Sequence, residues 1–124
     1  MATPFDELLL DSTIFVSVAE RARDPKWNRT NINDVAEMAS GSWVTSADRL
    51  VGRDVLVVVD GDYSVLGVFH VDDFTRARRD GERYYKVDFQ ISPDGERNES
   101  MRGRSLPANL RRKRGMIRGI WFFD

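Results

Sequence analysis

The strongest pattern in the chain is an unbroken apolar run, Val55-Leu56-Val57-Val58-Val59, followed by Asp60-Gly61-Asp62 and a second apolar stretch to Val71. Asp-Gly tolerates the positive φ angles of a tight turn, and the flanking β-branched residues favour extended chain. The pattern predicts a β-hairpin with strands over 55–59 and 64–71. The first run is too short to span a membrane, and it lacks the alternation of a half-solvated strand, so it predicts a strand covered on both faces.

The other elements follow in order. Residues 1–12 form a lead-in whose Phe5, Leu8, Leu9 and Leu10 can touch the core. Residues 13–18, TIFVSV, predict a strand. A polar loop with Pro25 and Trp27 leads to a helix over 31–40. Asn31 or Asn33 caps this helix, Val35, Met38 and Ala39 share one face, and Gly41 stops it. Trp43-Val44 begins an extended piece, and a short helix fits 47–51. Asp80-Gly81 marks a second turn. Residues 83–91 alternate, with Tyr85, Val87, Phe89 and Ile91 on one face and Tyr84, Lys86, Asp88 and Gln90 on the other. Residues 92–104 read as a flexible loop. Ser105 and Pro107 open a helix over 107–114 that ends at Gly115, and 117–123 predict an aromatic terminal strand. The fold class expected is α+β: a small, mostly antiparallel β-barrel with two or three short helices, as a single domain over 1–124.

Composition refines this picture. Hydrophobic residues reach 41% of the 124, enough for a core, and charged residues reach 31%. The chain has no cysteine, which excludes disulfides and thiolate metal sites and fits a reducing cytoplasm. His70 is the single histidine, so a multi-histidine metal site is excluded. The acidic start, MATPFDELLLD, lacks the basic region of a signal peptide, and no stretch is long enough for a membrane span.

The net charge of −1 conceals a division. Residues 1–96 carry 11 Lys and Arg against 18 Asp and Glu, whereas residues 97–118 carry eight cations and one acid. Arginine outnumbers lysine by 16 to 3, which favours forked contacts to phosphate or guanine. Clustered cations bind polyanions through counterion release. The candidate phosphate contacts are therefore Arg102, Arg104, Arg111, Arg112, Lys113, Arg114 and Arg118. The competing reading is that these cations fold down onto the chain's own acids.

Trp27, Trp43, Tyr84 and Trp121 are candidates for stacking on bases, with core packing the alternative for Trp43 and Trp121. A divalent-dependent nuclease would draw on Asp60, Asp62 and Asp88, with Lys86 nearby and Asp72-Asp73 as further oxygen ligands. The Lys86/Asp88 pair is also what a solvated strand face looks like. His70, between Phe69 and Val71, fits a strand face better than a general base. The glycines have no phosphate-loop spacing, and no motif calls for a cofactor or a resident metal.

SWVTSADRL, then VLVVVDGDYSVLGVFHVDDF, then RGRSLPANLRRKRGMIRGIWFF together resemble the small PUA-like barrels of the ASCH and EVE type, found beside bacterial and phage restriction and nucleic-acid-modification genes. The resemblance spans about residues 27–123. It implies an RNA-binding or modified-base-reading module, with Trp43 and Ser46 near a cleft, Trp27, Asn28 and Arg29 on a bordering loop, and a basic helix over 110–114 on phosphates. The expected function is a non-catalytic nucleic-acid-binding module. The alternative is a phage- or defence-related inhibitor or adaptor with a protein partner, using the acidic body as a phosphate mimic. The chain is expected to act off the membrane as a monomer, or as a homodimer through an exposed end strand over 120–123.

Overall fold

The computed structural model describes residues 3–45, 47–77, 81, 86–116 and 119–123, without the side chains of Ala47 and Ala77. Its frame is a six-stranded sheet: β1 (Thr13–Ser17), β2 (Trp43–Val44), β3 (Val55–Val59), β4 (Val65–Ala77), β5 (Lys86–Pro93) and β6 (Ile120–Trp121). The spatial order is β2-β5-β4-β3-β1-β6. All neighbours are antiparallel except β1 and β3, which run parallel, with Ile14 opposite Leu56 and Val16 opposite Val58. The sheet curls into a small, nearly closed barrel with two helices, α1 (Ile32–Ser40) and α2 (Gly95–Met101). Both the α+β class and the mostly antiparallel barrel are as expected.

The apolar run of β3 is explained by two cores on opposite faces of the sheet. Leu56 and Val58 join Ile14, Val16, Phe69, Val87 and Phe89 in the first core, which α1 closes with Val35, Met38 and Ala39. Val55, Val57 and Val59 join Phe15, Val65, Val68 and Trp121 in the second, covered by Phe5, Leu8, Met101, Leu106 and Leu110. Each β3 side chain is thus buried whichever way it points. β5 keeps its alternation, with Val87 and Phe89 inside and Lys86, Asp88 and Gln90 exposed. Asn31 caps α1 by accepting from the backbone N–H groups of Asn33 and Asp34. His70 lies on an exposed strand face, with Nε2 3.7 Å from Asp72.

Four expectations are corrected. The stretch 92–104 is ordered chain: β5 continues to Pro93, Asp94 precedes α2, and Met101 is buried. The proposed basic helix over 107–114 is a single 3-10 turn at Ala108–Leu110, after which Arg111 is extended. Only Leu110 of that turn is buried, too little to offset the cost of nucleating a helix. The helix over 47–51 is likewise one 3-10 turn, Ala47–Arg49. The end strand is not exposed, because Ile120, Trp121 and Phe122 are buried and β6 pairs with β1. Tyr84, Tyr85 and Asp80 lie outside the described residues.

Arg53 ties the end of the barrel remote from the hairpin turn. Its Nε donates to Arg49, Nη1 to Leu10 and Thr13, and Nη2 to Phe123, all at backbone carbonyls, while the guanidinium lies over the Phe122 ring. At Gly67, where the β3–β4 register slips, an added Cβ would lie 2.9 Å from both Ile32 Cδ1 and the Phe69 ring. Gly67→Ala is therefore expected to destabilise the protein by about 1–3 kcal/mol through overpacking, read as a lower denaturant midpoint at unchanged m-value.

Candidate functional site

The barrel does not seal where the two-residue edge strands β2 and β6 approach each other. Trp43 of β2 packs on Gly119, whose added Cβ would stand 3.3 Å from the indole. Beside this seam lies a cleft of about 460 Å³. The end of β1 and the turn after it supply Ser17, Glu20, Arg21 and Arg23, the β3–β4 turn supplies Asp60, Gly61 and Tyr63, and the C-terminal segment supplies Arg112 and Trp121. A second hollow, with Trp27, Lys26, Asp24, Glu37 and Met38, adjoins the first and shares Glu20 and Arg21 with it.

The hairpin turn is built on Asp60. This carboxylate is buried, and its Oδ1 accepts from the backbone N–H of Asp62 at 2.9 Å and of Ser64 at 3.0 Å. Its Oδ2 faces Arg29 at 3.5 Å. These bonds hold Tyr63 at φ 61°, a left-handed conformation uncommon for a tyrosine, and turn its ring edge-on to Trp121. Residues after α2 turn back onto the hairpin, through Val65 N–H to Arg104, Gly103 N–H to Val65 and Leu106 N–H to Tyr63, with Ser105 bridged to Ser64.

Arg21 is the most constrained cation of the cleft. It sits in the turn that follows β1, and it donates to the carbonyls of Met38, Gly41 and Ser42 where α1 ends. Its guanidinium carbon is 4.1 Å from the centroid of the Trp43 ring. Burial lowers its pKa from the ordinary arginine value, and the nearby Asp88 carboxylate opposes that shift. An arginine remains charged at neutral pH even so.

The predicted residues scatter. Trp43 and Arg112 line the cleft and Trp27 the adjoining hollow. Trp43 is only 6% exposed, and its Nε1 donates to Ala39; Trp121 is 2% exposed, and its Nε1 donates to Leu110. Asn28 shapes its own loop, accepting from Thr30. Arg29 serves the hairpin turn through Asp60. Ser46 and Arg118 lie outside the described residues.

Four arginines of the 102–114 stretch are held by backbone carbonyls. Arg102 donates to the carbonyl of Thr30, Arg104 to Ser100, Arg111 to Leu106 and Arg112 to Met116. Lys113 stands over Phe123, and Arg114 is exposed. Carbonyls position these side chains without cancelling their charge. Arg97, by contrast, pairs with the Asp94 carboxylate at 2.8 Å.

Arg21, Arg23 and Tyr63 were missed in the sequence. Arg21 and Arg23 sit in a polar stretch that resembles a solvated loop. The one available signal for Tyr63 is its place in Asp-Gly-Asp-Tyr, where Asp60 can accept from residues two and four ahead. Asp60, Asp62 and Asp88 do not gather; among the described residues no three His, Cys, Asp or Glu side chains could hold a metal ion. The cleft lining has no histidine and offers planar faces and cationic donors. Among the described residues no helix is long and apolar enough to cross a membrane. No family model, curated protein or solved structure matches this chain.

Asp60→Ala is expected to lower stability by about 1–3 kcal/mol, since two buried N–H groups lose their acceptor and Arg29 its partner. Asp60→Asn retains an Oδ1 acceptor and should lose less. Denaturant titration of the two variants checks the order.

Proposed function

We propose that the protein is a non-catalytic nucleic-acid-binding module that takes an unpaired nucleotide in the cleft beside the barrel seam. The observation that carries this reading is the combination of Arg21, Arg23 and Arg112 with the partly exposed Tyr63 ring around one hollow, whose inner wall is formed by the buried Trp43 and Trp121. Cations meet phosphate and planar groups meet bases, and single strands are held by that pairing. The volume, about 460 Å³, fits one nucleotide-sized ligand rather than a duplex. The cations at 102–114 are carried on turns and extended chain, so no basic helix is available to enter a major groove, whereas unpaired bases can reach a cleft. Arginines held by carbonyls keep their full charge for a polyanion, which supports nucleic acid over self-neutralisation.

Binding to labelled single-stranded DNA and RNA, measured against salt, tests the reading. Replacing Arg23, Arg112 and Arg114 together with Ala should weaken binding and flatten the slope of log affinity against log salt by about 2, since each single-strand phosphate contact contributes roughly 0.7. A salt-independent complex, or no complex with either polymer, rejects it. A partner captured from lysate that survives nuclease treatment would point instead to a protein-binding role.

A further inference from the structure

The aromatic rings around the two hollows are not bare. Arg21 covers Trp43 at 4.1 Å, Lys26 covers Trp27 at 4.7 Å, and Arg111 covers Tyr63 at 5.0 Å. Trp43 and Trp121 are in any case nearly inaccessible. A base entering the cleft therefore meets the cations lying on the rings, and those cations differ in how firmly they are held. Lys26 is a point charge on a flexible stem, its Nζ 4.0 Å from Asp24 and its side chain 64% exposed. Arg111 is anchored by one bond, from Nε to Leu106. Arg21 is anchored by three carbonyls and backed by an indole that is itself pinned by Ala39 on one side and Gly119 on the other. It remains half-buried and borders both hollows.

We infer that Arg21 is the platform on which the bound base lies, its guanidinium plane backed by Trp43 and its other face offered to the ligand. The inference rests on the nucleic-acid reading above and deepens it. A guanidinium plane is an established stacking surface for unpaired bases, and a fixed plane loses little freedom when a base settles on it. The charge and the plane are separable: lysine keeps the first and lacks the second. Arg21 therefore acts as a base-contacting residue whose loss is felt through stacking, independently of salt.

The test compares wild type and Arg21→Lys on short oligo(dT) and oligo(rU), each with and without an internal abasic site, across a salt series. Arg21→Lys is expected to weaken binding about tenfold at every salt concentration, the size of one lost stack, with the salt slope unchanged. The abasic site should weaken wild type by a similar factor and the variant by little more. Equal wild-type affinity for intact and abasic strands overturns the inference, while the salt-dependent binding reading stands. Undiminished affinity in the variant also overturns it. Should Arg21→Lys fail to fold, the abasic comparison on wild type decides alone. Absence of binding by wild type to any strand rejects the nucleic-acid reading and this inference with it.

Discussion

Everything in the fold follows from a parallel pair of strands with no solvent-facing side. β1 and β3 lie side by side within the sheet, neither at an edge, and the side chains of β3 are buried on both faces. Parallel neighbours need a crossover, and here the crossover carries α1 over one face. The opposite face is covered by pieces too short to be domains in themselves: the turn at Pro4–Glu7, α2, and the returning chain with Leu106 and Leu110. A single sheet divides two cores, so neither cover can be removed without exposing valines.

The same constraint creates the cleft. The strands that end the sheet, β2 and β6, are two residues each and cannot make a continuous ladder across the seam. Trp43 against Gly119 fills part of the opening, and cations line the cleft that remains. Arginine suits that place because a guanidinium satisfies several carbonyls in one plane while lying on an aromatic face. Arg21 at the seam and Arg53 near Phe122 use the same device: Arg21 ties the turn after β1 to the end of α1, and Arg53 joins carbonyls from separate segments.

The sequence carried the central features because they depend on local rules. Asp-Gly chemistry and the length of the valine run identify the hairpin and its coverage, and Asn31 with Val35, Met38 and Ala39 identifies α1. α2 was hidden because Met101 is its one buried residue, so it has no apolar stripe, and Pro93-Asp94-Gly95 reads as a loop. The run at 107–114 misled in the other direction, since a Pro-led basic stretch resembles a helix but has little to bury. The site was legible in part. Trp43 and Arg112 reached the cleft, whereas the partners of Arg21 are backbone carbonyls at residues 38, 41 and 42, and carbonyls leave no mark in a sequence. The arrangement of the basic residues was likewise a tertiary property: their charge was readable, and their anchoring was not.

The pairing of β6 with β1 sets an order of assembly. β1 finds one neighbour, β3, some forty residues later, and the other, β6, only about a hundred residues later. Until then one edge of β1 offers its backbone groups and Phe15 lacks the Trp121 ring that stacks on it. Contacts of such sequence separation close slowly, and an unpaired edge beside apolar side chains invites the wrong neighbour. During synthesis the chain must therefore hold its most apolar strands together before the piece that finishes them exists. The seam that forms the cleft is also the last part of the barrel to be made.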